Sequence, residues 1–369
     1  KGETKPKRYT YLLGSNEACT TPAKRMLVLA DKKEKGEVNI NQLKEVFSVE
    51  TLNKDFFKTY KAHYEKFWKY LAEEENPNRA KLIDAEIYHF HDPELLRFAL
   101  RLKRKGKTVI YDAHEDLPRQ FMGNSKVPGR KIISWVVEFL EDYIAARLDG
   151  IITATPYIAQ RFKRVHANTI DVNNFPLASE IEFLDQQAKP KDPYVCYIGG
   201  IWPSRGIAEL VDAMELSEVS LALAGKIETE FRTLLSQSKG WSKVQELGFI
   251  DRQSSMQLKQ QAIAGVVTFL PFPNHINAQP NKIFEYMAAS LPIVTSDFPL
   301  WKSIVTKHNT GICVNPLAPK EIASAVNVLL KNKEQSIQMG KNGQKAVQEV
   351  FNWKQENEKL INLYQQILK

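Results

Sequence analysis

Short runs of β-branched and aliphatic residues alternate with longer segments of helical period along most of the chain. In the first half these runs predict strands at 9–13, 86–90, 108–112 and 150–154, with a weaker one at 38–40. Phe56, Tyr60, Tyr64, Phe67 and Leu71 fall four, four, three and four residues apart, one face of a helix, with Lys54, Lys58, Lys61, Lys66 and Lys69 interleaved. Such a stripe either packs on a sheet or lies on a membrane or a lipid acceptor. The segment 184–193 (LDQQAKPKDP) is polar, proline-bearing and without period, and reads as a linker. After it the pattern cycles again, with strands at 194–198, 220–224, 243–247, 266–270 and 293–296. Helices are predicted at 206–216, 228–238, 253–263, 281–289, 319–332 and 353–369. Strand–helix alternation of this kind predicts two doubly wound α/β domains, 1–183 and 184–352, with a closing helix at 353–369.

Composition narrows the class without changing that picture. At 369 residues, 43% hydrophobic and 25% charged, the chain is neither disordered nor fibrous. Its apolar stretches, such as 132–137 and 266–269, are far below the ~18 residues a bilayer span needs. No signal-peptide pattern is visible at the start of the sequence. Cys19, Cys196 and Cys313 are odd in number and widely spaced, which argues against a disulfide framework and fits a reducing cytoplasm. The net charge is +8 and uneven: residues 1–35 hold nine basic against four acidic residues, and 101–107 (RLKRKGK) holds five basic. These patches suit nucleic acid, an anionic membrane face, a phosphorylated substrate or plain solvation. The segment 129–140 (GRKIISWVVEFL) pairs cations with Trp135 and Phe139, as a membrane-facing helix does, but a buried helix with a basic start has the same pattern.

Ligands of parallel sheets collect at the carboxyl ends of the strands, so the residues there are the first candidates for chemistry. His91 follows the strand EIYHF, and Asp92-Pro93 caps the helix behind it. His91 either bonds a sugar or phosphate or is a satisfied core histidine. The next strand runs into His114, Glu115 and Asp116. A metal held by His91, His114 and neighbouring carboxylates lacks an evident third ligand group, so none is expected. No Asp-x-Asp triplet, Gly-x-Gly-x-x-Gly or P-loop spacing occurs. In the second half, Gly199 and Gly200 sit where strand turns to helix, and Arg205 stands beside that helix start. Backbone amides and a guanidinium there suit an anion, although an ordinary βα turn has the same residues. Asn281, Lys282 and Glu285 share one helical turn, with a cation for a diphosphate and a carboxylate for vicinal hydroxyls.

At these residues the sequence resembles glycosyltransferase family 4, from about residue 85 onward. The segments carrying the likeness are IYHFHDPELL, VIYDAHEDLPRQ, IITATPYI, VNNFP, YIGGIWPSRGI, QPNKIFEYMAASLPIV and FNWKQENEKLINLY. The resemblance implies a GT-B fold: an acceptor-binding first domain, a donor-binding second domain facing it across a cleft, and a last helix that crosses back. It implies a bacterial surface-polysaccharide enzyme, of capsule or O-antigen type, that moves a sugar from a nucleotide-diphosphate sugar to an acceptor hydroxyl with retention and without a metal. A UDP-sugar is favoured over a GDP-sugar, the acceptor is a glycan or lipid-linked saccharide, and the place is the cytoplasm or the inner membrane face. By position His91, Arg205 and Glu285 take the catalytic roles. Gly199, Gly200, Arg205, Asn281, Lys282 and Glu285 hold the donor, and His91, Asp92, His114, Glu115 and Asp116 the acceptor side. Glu285 matches the second glutamate of the family's Glu-x7-Glu motif, whereas the first falls at Asn277. The family's diphosphate Arg and Lys fall at Gly200 and Arg205. Those departures keep two other readings open, a nucleotide-sugar epimerase or hydrolase and a non-catalytic GT-B-like subunit. Nucleic-acid binding has no motif behind it.

Overall fold

The computed structural model describes residues 9–12, 87–91, 93, 96–123, 128–177 and 192–368. The expected strand at 38–40, the aromatic stripe at 56–71, Asp92, the basic surplus of residues 1–35 and most of the 184–193 linker lie outside them. The chain divides into two units, Lys1–Asn174 with Gln355–Lys369, and Phe175–Lys354.

In the first unit, β1 (Tyr9–Leu12), β2 (Ile87–Phe90), β3 (Thr108–Ala113), β4 (Gly150–Thr153) and β5 (Thr169–Asp171) form a parallel sheet in that order. Alternation along each strand sorts the side chains between two faces. Tyr88, Phe90, Val109 and Tyr111 pack into one core with Leu96 and Ala99 of α1 (Leu96–Arg104), Ala145 at the end of α2 (Arg130–Ala145), and Ile158 and Phe162 of α3 (Pro156–Phe162). Their neighbours His89, Ile110 and Asp112 turn to the other face. That face takes the last helix, α4 (Trp353–Ile367), whose Leu360, Leu363 and Tyr364 are buried. Gly150 makes room for this packing, because a Cβ there would stand 2.7 Å from Ile367 Cδ1. Buried Glu356 anchors the start of the helix. It accepts from the Asn173 backbone N–H at 2.8 Å and pairs with Lys359, which also reaches Asp171 at 3.0 Å. The last helix thus returns to the first unit.

The second unit holds a parallel sheet in the order β11-β10-β9-β6-β7-β8. Its strands are β6 (Tyr194–Ile198), β7 (Ser220–Ala224), β8 (Val244–Gly248), β9 (Ala264–Val267), β10 (Ile293–Ser296) and β11 (Gly311–Val314). The strands run outward from β6 in one direction to β8 and then restart at β9 on its other side. A topological switch point therefore opens at the carboxyl ends of β6 and β9.

Most predicted elements of this half appear within a few residues of their expected bounds, but β9 lies two residues earlier than expected. Several elements were not anticipated, among them β5 of the first unit, only three residues long, and β11 of this one. The helix Pro299–His308 follows β10 directly, and Lys333–Glu349 carries two glycines in its interior. Each interior glycine costs a helix about 1 kcal/mol against alanine. Gly343 nevertheless lies 3.2 Å (ideal Cβ) from Met287, and a Cβ at Gly340 would overlap the Ser290 carbonyl, so close helix packing explains both.

Candidate functional site

Two polar groups stand at strand ends, one in each unit. In the first unit the β2–β3 register pairs His89 with Ile110 and Phe90 with Tyr111, which brings His91 beside Asp112. Two-residue alternation then sets His89, His91, Asp112 and His114 on one face. A single carboxylate oxygen, Asp112 Oδ2, lies 3.1 Å from His91 Nδ1, 3.4 Å from His114 Nε2 and 3.6 Å from His89 Nε2. His91 Nδ1 and His114 Nε2 are 2.8 Å apart, and the rings of His89 and His91 stack at 4.4 Å with 14° between planes. The Tyr364 hydroxyl reaches His89 Nδ1 at 2.5 Å from the returning helix. His89, His91 and Asp112 are at most 3% exposed. Burial pushes the Asp112 carboxyl up, but the imidazoles around it win and hold it well below the usual carboxylate range.

His89, His91 and Asp112 also offer three ligand-type atoms within 4.8 Å of one another. His89 is thus a third ligand-type group beside the two histidines that the sequence analysis weighed for a metal, and the His-x-His alternation on a strand was its signal. Of the other expected residues, Asp116 bonds Arg161 at 3.2 Å, while Glu115 is exposed and accepts from Gln120. Arg161 is itself buried among Asp116, Glu141 and Asp142, and Tyr111 donates to Glu141 at 2.8 Å.

In the second unit the turn after β6 lies at the switch point. Gly199 has φ 142°, and a Cβ there would run into the Lys282 side chain. Gly206 has φ 69°, and a Cβ there would overlap the Thr268 carbonyl just past β9. Both φ values favour glycine, and at Gly206 only glycine lets one backbone approach the other this closely. Arg205 lies between them with its guanidinium 4.1 Å from the Phe269 ring centroid, and Lys282 Nζ lies 5.7 Å from that of Tyr197. Tyr197 in turn donates to the Gly200 carbonyl at 2.8 Å. The approach to the helix Asn281–Ala288 is pinned by Trp301 Nε1, which donates to the Ala278 carbonyl at 2.7 Å, and by His275 Nδ1, which donates to that of Leu270 at 3.0 Å. Asn281, Lys282 and Glu285 occupy that helix as expected, with Glu285 exposed.

Burial lowers the proton affinity of Lys282, with Glu285 pulling it up and Arg205 further down, and burial lowers that of Arg205 too. Among the described residues no carboxylate lies within 4.0 Å of either cation. Two half-buried cations at a switch point, with no carboxylate beside them among the described residues, have the chemistry that suits an anion. Phe269, Tyr197 and His275 were missed in the sequence, where each reads as an ordinary core residue.

A third feature is the outer face of α2. Ile132, Trp135, Phe139 and Tyr143 are 47–70% exposed, and Trp135, Phe139 and Tyr143 stack in a row 6.1 and 6.5 Å apart. Arg147 lies 3.5 Å over the Tyr143 ring. The buried-helix alternative for 129–140 does not hold for this face.

Residues 179–346 match the family model of the glycosyl transferases group 1. The O-antigen chain mannosyltransferase C of Escherichia coli is 24% identical over 295 residues, 76% of this chain and 75% of that protein. Among solved structures, the sucrose-phosphate synthase of Thermosynechococcus elongatus is similar with a TM-score of 0.62 at 21% identity, over 86% of this chain and 80% of that one. HepE of Anabaena, solved in complex with UDP, has a TM-score of 0.60 at 16% identity, over 76% and 79%. A glycosyltransferase of Rickettsia africae reaches 0.64 at 14% identity, over 80% and 83%. With two parallel-sheet units and a last helix that returns to the first, the chain has the GT-B fold, and its residues 179–346 are similar to the glycosyl transferases group 1.

Proposed function

We propose that the chain transfers a hexosyl group from a nucleotide-diphosphate sugar, preferably a UDP-sugar, to an acceptor hydroxyl of a lipid-linked or growing surface polysaccharide, with retention. The observation that carries this reading is the pair Arg205 and Lys282, two cations with no carboxylate partner among the described residues, beside glycine turns at the switch point. The hard step in glycosyl transfer is the departure of the diphosphate while an oxocarbenium-like centre forms. Fixed cations and backbone N–H groups aimed at the developing charge lower that barrier without reorganising. Arg205 and Lys282 take this role without a metal, and Glu285, one turn on, accepts from the ribose hydroxyls. On the acceptor side His91 meets the reacting sugar, and same-face attack lets the leaving phosphate take the acceptor's proton.

The test is a thermal-shift panel of UDP, GDP, ADP and their common sugars, followed by transfer assays, because bound ligand raises apparent stability by mass action. A UDP-sugar is expected to give the largest shift, and Arg205→Ala or Glu285→Ala is expected to abolish it. Full turnover in either variant sinks the cradle.

The same reading includes reversible attachment to an anionic membrane, where a lipid-linked acceptor is found. The apolar row on α2 supports it, together with exposed Lys131 and Arg147. Among the described residues no helix is long and apolar enough to cross a membrane.

A further inference from the structure

The histidine–aspartate group of the first unit is wired more closely than the role of His91 alone requires. His89 and Asp112 lie on adjacent strands, and His91 and His114 follow one residue past the ends of those strands, so the sheet holds two of the four and anchors the other two. Three imidazole nitrogens surround one oxygen, Asp112 Oδ2, at 3.1, 3.4 and 3.6 Å.

Two distances decide what this arrangement is. His91 Nδ1 and His114 Nε2 stand 2.8 Å apart. Two imidazoles on one tetrahedral zinc, with bonds of about 2.0–2.1 Å, hold their nitrogens about 3.3 Å apart. At 2.8 Å one proton sits between them, since two N–H groups would collide and two lone pairs would repel. The second distance, 3.1 Å from His91 Nδ1 to Asp112 Oδ2, locates that proton. Both nitrogens face that oxygen, but His91 Nδ1 is the nearer, 3.1 against 3.4 Å, so a proton on it makes the shorter bond to the buried carboxylate. That placement leaves His91 Nε2 as an acceptor.

His89 completes the frame. Its ring stacks on His91 at 4.4 Å, and its Nδ1 meets the Tyr364 hydroxyl at 2.5 Å. With the tyrosine donating to Nδ1, the His89 proton lies on Nε2 and points at Asp112.

We propose that Asp112 is a positioning residue that fixes His91 in the Nδ1–H tautomer and so presents Nε2 to a sugar hydroxyl as a hydrogen-bond acceptor, while His89, held by Tyr364, keeps the ring from turning. The proposal rests on the reading of His91 as the histidine beside the reacting sugar. Asp112 itself touches no substrate, and its effect passes through the imidazole.

The test uses the full chain with 15N-labelled histidine, whose nitrogen shifts and two-bond couplings report which ring nitrogen holds the proton. His91→Gln assigns the His91 signals. The expected result is an Nδ1–H tautomer in the wild-type chain that moves to the Nε2–H form in Asp112→Asn, where the carboxamide can donate to Nδ1. Turnover should fall by roughly 10²-fold with the donor KM near its original value, less than the ~10⁴-fold a wrong tautomer costs where the imidazole is the general base. Tyr364→Phe, which keeps the ring, should alter the His89 signals and slow turnover severalfold. An Nε2–H tautomer of His91 in the wild-type chain overturns the proposal, and it does so even if Asp112→Asn does not fold. A folded Asp112→Asn with an unchanged tautomer and full turnover overturns it too. So does uptake of one Zn²⁺ per metal-free wild-type chain that Asp112→Asn abolishes. The tautomer is read without donor or acceptor, so a chain that transfers no sugar would sink the proposed function and leave this result standing.

Discussion

The two units handle buried charge in opposite ways. In the first, the buried charges sit among groups of the opposite sign or polarity: Arg161 among Asp116, Glu141 and Asp142, and Asp112 among three imidazoles. In the second, Arg205 and Lys282 rest on the faces of Phe269 and Tyr197 with no carboxylate within ion-pair distance among the described residues. An aromatic face steadies a cation by about 0.5–2 kcal/mol and leaves most of its charge uncompensated. The first arrangement holds a framework in place. The second stores an attraction that only an incoming anion satisfies. Stability and activity should therefore respond in opposite directions to substitutions in the two places.

The sharpest break is Arg161→Met. It leaves Glu141, itself 3% exposed, without its cation, and removing one partner of a buried pair costs about 3–5 kcal/mol. Urea unfolding should show that loss, and the variant that still folds should keep its affinity for nucleotide. An unchanged midpoint would mean that the first unit does not depend on charge pairing. Lys282→Met should do the reverse. Transfer falls by roughly 10²–10³-fold, the usual result of removing one preorganised electrostatic contact. The melting temperature of the unliganded chain holds or rises, because a desolvated ammonium has been replaced by an isosteric apolar chain. A variant that both melts earlier and turns over normally would erase the distinction.

Much of the second group was legible in the sequence, and little of the first. Lys282 and Glu285 are three residues apart on one helix, and Gly199 and Arg205 flank one turn, so local spacing carried the assignment. That Lys282 lies over Gly199 depends on which strands are neighbours, and the family likeness implied only that both serve the donor. His89, Asp112 and Tyr364 join only when β2 lies against β3 and the last helix covers their face, and Tyr364 is 275 residues from His89. No window of sequence contains that pairing. Asp116 shows the converse. Its place after a strand marked it as a site residue, while its bond to Arg161 comes from a helix 45 residues away. Local pattern locates strand ends well. It does not tell a charge that waits for a ligand from one that already has a partner.

The two groups also differ in sign with pH. The folded Asp112 carboxyl lies well below its unfolded value of about 3.9, so its contribution is present above that value and is lost as acid titrates the folded form. Lys282 is a base with a lowered folded pKa, so its charged form opposes folding, and that penalty lifts as pH rises through the folded value. Wild type minus Asp112→Asn should shrink below about pH 4, and Lys282→Met minus wild type should shrink on the alkaline side. Urea midpoints across pH measure both. Saturating UDP should also remove the alkaline difference, since the diphosphate stabilises the ammonium.

The smallest effect concerns an apolar imbalance, the exposed row on α2. Water meets Trp135 and Phe139 at 67% and 59% exposure, which a folded monomer leaves unburied at a cost of about 25 cal/mol per Å². If a bilayer covers the row, Trp135→Ser should weaken flotation with phosphatidylserine vesicles by roughly tenfold, equivalent to about 1.4 kcal/mol. Exchange of exposed Lys131 for Gln should remove about 1 kcal/mol, and that loss should vanish at 1 M salt because the Debye length there is only about 3 Å. Neither change touches the cradle, so transfer to a water-soluble acceptor should stay at the wild-type rate while transfer to a vesicle-borne acceptor falls. Equal losses on both acceptors would tie the row to the fold of the first unit, and equal flotation of all variants would remove the membrane from the picture. The salt comparison separates the charged contribution from the apolar one: cations carry the first and the aromatic row the second, and only the second survives screening.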